Sequence, residues 1–390
     1  MQGLLRLAVP GAAMFACAVA SAAAPQAQQL AATPDVSRQL ATYGEIAYRA
    51  YTDAHGAAVV LQKAVNDFVA DPADDSDEQL AQVRQAWLDS RVSYGQTEAF
   101  RFYEGPIDFG KRPDGTQGLE GRINAWPLNE QSIAATIDDT SIPITRATLI
   151  ERNARDDEAD VTTGYHAIEY LLWGEDRNAN GPGNRPAKDF VGAGLAERRR
   201  AYLQAVTDLL VDDLASVAAA WAPEQANYRM ELARMDPKES VAKVLTGIAT
   251  LSGFELGYER LATALDSGSQ EDEQSCFSDS TITDVIENVT GVANVYFGRY
   301  GNYHGDGVDK LLQQVNPVLY QLLTDQIDRS LLLAQGLDRP FDQSLVSPPG
   351  SAQRAKLEAL VTSLQTQTRL IKQAGVALGV QLVVAFERDE

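Results

Sequence analysis

The chain has 390 residues, with 54 acidic against 33 basic side chains and a formal net charge of −21. No basic surplus exists to displace counterions from phosphate, so the balance disfavours electrostatic nucleic-acid binding and attraction to anionic membrane surfaces, and cations are the ligands that suit it. At ~150 residues per domain, the length allows about two domains, each large enough to bury a core.

In chain order, residues 1–24 read as an export signal. Arg6 gives the positive end, Leu7 to Val19 the apolar run, and Ser21 to Ala24 the small residues of a cleavage site. Cys17 lies inside that run, two residues after Phe15, which is a poor fit to a lipidation site. Once it is removed, Cys276 has no disulfide partner. No later apolar run approaches the ~18 residues of a membrane span. The expected location is the periplasm, with peripheral attachment at the outer membrane as an alternative.

Helical periodicity follows over 37–70, 77–103, 163–173, 193–220, 238–265, 308–335 and 352–383. Polar or Pro/Gly loops separate these segments. The expected fold is all-α, with two helical-bundle halves and a cleft between them. Helix, acidic Pro-containing loop and helix recur around Asp71-Pro72 and Asp338-Arg339-Pro340, the pattern a duplication would leave. The expected boundaries are 1–24 for the signal, 25–230 for the first bundle and 231–390 for the second. The glycine-rich stretch from Tyr296 to Asp309 reads as a loop with a hairpin.

Three segments carry candidate chemistry. In Asp160 to Gly174, Thr162 or Thr163 is placed to cap a helix that Gly174 ends. His166 and Glu169, three apart, share one face of a helix that is apolar nearly all round and therefore buried. A buried His and Glu need each other, a charge partner or a metal. On the second helix, Leu80, Val83, Trp87 and Tyr94 form an inward stripe that ends in Arg91, Glu98 and Arg101; the alternative is that this end emerges into solvent. In the third segment, Val241, Val244 and Ile248 lead to Ser252, Glu255 and Glu259. Carboxylates entering a bundle beside one His make a plausible oxygen-rich metal site.

Other segments read more plainly. Asp176-Arg-Asn178-Ala-Asn180-Gly181 imitates the start of a calcium-binding loop, but Ala187 stands at the twelfth position, where a bidentate Glu belongs. It reads as a structured turn. The acidic run from Asp71 to Glu78 reads as a solvated loop before the next helix.

Gly164-Tyr-His166-Ala-Ile-Glu169 resembles the GxHxxE signature of the imelysin-like proteins. The resemblance extends through Tyr170 to Asp176, Asn180 to Pro186, Tyr94 to Glu98, Asn124 to Leu128, Gly257 to Arg260 and Gln270 to Asp279, and points within the family to the bacterial iron-regulated protein A group. It implies an exported, two-bundle protein of iron acquisition, with a metal held by His166, Glu169 and Glu98. Arg91, Trp126, Glu255, Ser278 and Asp279 are the implied neighbours. Iron is the expected metal, and the same ligands suit zinc. Iron- or haem-uptake proteins are the expected partners.

Two alternatives stand beside metal handling. The family is also classed with metallopeptidases, but zinc hydrolases of the HExxH or HxxEH kind take two histidines from one helix, and here Tyr170 follows Glu169. Alternatively, the His–Glu pair is purely structural in a partner-binding protein. The metal reading predicts that binding weakens as pH falls through imidazole protonation, between about 5 and 7.5.

Overall fold

The computed structural model describes residues 35–73, 76–110 and 118–384, and the expected export signal lies outside them. The first helix, Ser37–Ala70, points Tyr43, Ala47, Tyr51, Ala54, Leu61 and Val65 inward and stops before Pro72. It packs along Leu195–Trp221 and Asp77–Gly95. Asp77 and Glu78 start the second of these helices, where carboxylates suit the positive end of the helix dipole. Asp77 also accepts the Ala187 backbone N–H at 2.9 Å.

In the later half, Pro317–Gln335 packs on Ala352–Ala377, which lies against a long helix beginning at Pro237. Thr281–Phe297 is shared between the two groups: it packs on Pro317–Gln335, on Asp77–Gly95 and on the 3₁₀ turn Gln96–Phe100. That shared helix carries Asp284 and Asn288 into the interior beside the second helix. By backbone proximity, the described residues form one compact unit. Among the described residues, no helix is long and apolar enough to cross a membrane.

The architecture is all-helical, as expected, with a two-stranded hairpin at Arg299–Tyr300 and Tyr303–His304 where the glycines predicted one. Three local differences have physical causes. The 308–335 segment breaks at Asn316-Pro317: Asn316 accepts the Leu319 N–H at 3.1 Å, and Pro317 opens a new helix without a donor to satisfy. The 238–265 segment widens into π-helix over Leu251–Ala262. The helix Thr281–Phe297 is missing from the sequence reading because buried Asp284, Asn288 and Asn294 interrupt its apolar pattern.

Candidate metal centre

The motif helix spans Gly164–Trp173 and is buried along nearly its whole length. Gly164 has φ +83°, and a Cβ there would lie 2.5 Å from the Ile123 carbonyl oxygen, so only glycine fits. Neither threonine caps the helix with its side chain, in contrast to the sequence expectation. Instead Asn153 Oδ1 accepts the Thr162 and Thr163 backbone N–H groups at 2.9 and 3.2 Å, and the Thr162 hydroxyl donates to Leu149 O. Gly174 ends the helix at φ +75°. Tyr165 packs on Trp87 and Tyr94, and Trp87 Nε1 donates to Tyr165 O at 3.0 Å, which ties the motif helix to the second helix.

His166 and Glu169 meet as the i, i+3 spacing predicts: Nδ1 lies 2.8 Å from Glu169 Oε2, with both side chains buried. The other carboxylate oxygen accepts the Ser278 backbone N–H at 2.9 Å and hydroxyl at 2.7 Å. His166 Nε2 is buried and has no hydrogen-bond partner. Burial, with Arg91 next in weight, lowers the imidazole pKa to about 3. Burial raises Glu169 to about 8, against the opposing pull of Ser278 and Arg91. His166 therefore stays neutral between pH 5 and 7.5. Glu169 is the member of the pair that burial moves toward neutrality.

Glu98 is also buried, so the inward stripe does not emerge into solvent. Its Oε2 accepts from Arg101 at 2.9 Å and Arg260 at 2.7 Å, while Oε1 has no partner. Burial pushes this carboxyl up, but the two arginines outweigh it and hold it at about 2. Arg260 also donates to Glu255 and Asn288, each at 2.7 Å. Arg101 reaches Glu120 at 3.2 Å.

Arg91 donates to Asp284 at 2.8–2.9 Å and to Asn124, and its guanidinium faces the rings of Trp87, Tyr94 and Tyr165. Trp126 donates to Glu273 O at 3.1 Å. With Arg101, Glu120, Glu255 and Arg260, Trp126 also lines a cavity of about 1020 Å³. Asp279 follows Ser278, but its carboxylate belongs to a different group, with Asp176 and Asp342.

Among the described residues, that acidic trio is the group of three whose ligand atoms all lie within 4.8 Å of one another; His166, Glu169 and Glu98 do not close into such a group. The other two histidines lie apart in exposure and element, His55 half-buried on the first helix and His304 exposed on the hairpin. Sequence reasoning missed Arg260 and Asp284 as site residues. Arg260 sits in the π-helical stretch, where a 3.6-residue period misplaces side chains, though the Gly257 to Arg260 block pointed to it. Asp284 sits on the helix left unread.

Fold and site together define an all-helical protein with a buried, glycine-initiated His–Glu pair flanked by arginine-held carboxylates. The chain belongs to the imelysin family: the family model for imelysin, peptidase M75, matches residues 47–371. A curated relative, iron-regulated protein A of Synechococcus elongatus, is 25% identical over 316 residues, covering 78% of this chain and 77% of that one. Two crystal structures share the fold. One, described as an iron-regulated protein A precursor from Parabacteroides distasonis, has a TM-score of 0.70 at 18% identity and covers 90% of this chain and 97% of its own. The other, an imelysin-like protein from Psychrobacter arcticum, has a TM-score of 0.60 at 14% identity and covers 89% and 97%.

Proposed function

We propose that this protein is exported to the periplasm and binds a metal ion there, iron in the first place, as part of bacterial iron acquisition or handling. His166, Glu98 and Glu169 would hold the ion, and iron- or haem-uptake proteins would be its partners. The observation that carries this reading is a pair of buried ligand atoms, His166 Nε2 and Glu98 Oε1, that meet no donor or acceptor of the protein. Leaving such atoms unsatisfied is costly unless something else binds them. A neutral imidazole and two carboxylates form a borderline-to-hard ligand set that suits iron and also zinc. The name of the Synechococcus relative, iron-regulated, agrees with that choice.

In this reading Glu169 also orients the imidazole. Its ionised form accepts from His166 Nδ1–H, which fixes the tautomer that leaves the Nε2 lone pair free for a metal. Ser278 holds the carboxylate in place for that contact. Anaerobic titration of iron(II) into chelator-treated protein tests the proposal. One saturable site is expected, abolished in His166→Ala and weakened about 10–100-fold in Glu169→Gln. Equal binding by wild type and His166→Ala would refute it. Wild type that rejects both iron and zinc would leave a structural His–Glu pair.

A further inference from the structure

Asp176, Asp279 and Asp342 come from three distant parts of the chain and bring carboxylate oxygens within 4.8 Å of one another. Two ligands on opposite sides of an ion with bonds of about 2.4 Å would span that distance. Asp342 is 3% exposed, and neither of its oxygens has a hydrogen-bond partner; the same is true of both Asp279 oxygens. Behind them lies a fourth carboxylate, Glu273, which is completely buried. It lies against Asp342 and the Thr281 hydroxyl, with no arginine or lysine on it.

Charge balance separates this cluster from its neighbourhood. In the adjacent site, Glu98, Glu255, Glu120 and Asp284 each face an arginine. Among the described residues, none of Asp176, Asp279, Asp342 and Glu273 has an Arg or Lys ion-pair partner. The polar groups that do reach the cluster are neutral: the Asn178 N–H donates to Asp176 Oδ1 at 2.8 Å, and Gln270 donates to Asp176 Oδ2. Burial, with the neighbouring carboxylates behind it, raises Asp176 to about 6, Asp279 to about 7 and Glu273 to about 11. A cation is the missing charge.

We propose that Asp176, Asp279 and Asp342 form a second cation site, for calcium, distinct from the His166 centre and backed by Glu273. The donors are all oxygen, with no imidazole or thiolate, which selects a hard cation over a transition metal. The loop that opens at Asp176 has the first half of a calcium loop and lacks its acidic twelfth residue. In the folded chain, Asp279 and Asp342 supply carboxylates that the loop itself does not. The site joins the loop after the motif helix, the segment carrying Ser278, and the short helix Phe341–Val346, so an ion there would clamp Ser278 against Glu169.

Calorimetric titration of calcium chloride into chelator-treated wild-type protein at pH 7.5 tests the site. One calcium ion per chain is expected, with a rise in Tm. Asp279→Asn and Asp342→Asn should each weaken binding by at least about tenfold, because ligand charge sets affinity at such sites. Each variant removes an uncompensated carboxylate, so neither is expected to unfold the cation-free protein. His166→Ala should keep calcium binding intact, which separates this site from the iron reading. Two results would overturn the proposal: calcium binding that survives both substitutions, or no saturable binding up to millimolar calcium while Asp342→Asn raises Tm. The second result would identify the cluster as acids that share protons.

Discussion

Replacing Asp284 by Ala will destabilise the protein by about 3–5 kcal/mol, the cost of leaving one member of a buried ion pair without its partner. Arg91 and Asp284 are 1% and 0% exposed, and Arg91 donates to Asp284 through both Nε and Nη2 at 2.8–2.9 Å. Ser275 completes the carboxylate with a hydroxyl at 2.5 Å. Without Asp284, the guanidinium would keep Asn124 and three aromatic rings but no counter-ion, in a place water does not reach. Arg91→Met combined with Asp284→Leu should recover much of the loss, since removing both charges also removes their desolvation cost. Urea unfolding of the single and double variants measures this. A single variant within 1 kcal/mol of wild type would show that the pair does not carry this part of the core.

The second large effect is a dependence of stability on pH. In the metal-free protein, burial raises Glu169 from the ordinary 4.5 to about 8, although Ser278 and Arg91 favour its charged form. The unfolded chain ionises this group near 4.5, and the folded protein keeps it protonated up to about 8. Its contribution is fully present below 4.5 and is lost as pH rises through 8, at ~1.4 kcal/mol per pH unit in between. Glu169→Gln keeps the shape and has nothing to ionise. The stability difference between wild type and this variant should therefore shift against wild type by ~3–4 kcal/mol from pH 5 to 8. A difference that stays flat over that range would contradict the assignment of the raised pKa to Glu169. The same proton must leave before Glu169 can act as a carboxylate toward a metal, so affinity at the His166 centre should rise with pH across the same range.

Much of this was legible in the sequence because it rests on local periodicity. Tyr43 to Val65, and Leu80 to Tyr94, announce their buried faces at spacings of three and four, and His166 and Glu169 meet because i and i+3 share a helix face. Gly164 was legible as part of a motif, but its physical reason, the carbonyl of Ile123 packed against it, is a tertiary fact. What local pattern cannot reveal is pairing across the chain. The counter-ion of Arg91 lies 193 residues away, and Arg260, which joins the nearby Arg101 on Glu98, lies 162 residues away. Polar residues that satisfy each other inside the core also disguise the helices that carry them, as Asp284 and Asn288 do in Thr281–Phe297. The acidic cluster went unread for the same reason. Asp176 alone begins an incomplete loop, and only folding brings Asp279 and Asp342 to it.

The central claim is that the unsatisfied nitrogen of His166 and oxygen of Glu98 exist to hold a metal. Its most direct test is the metal content, by mass spectrometry, of untagged protein purified without chelator, beside His166→Ala and Glu98→Ala. The account predicts stoichiometric iron, or zinc in its place, in the wild type and its loss in both variants. A wild type without either metal, or variants that retain it in full, would contradict it.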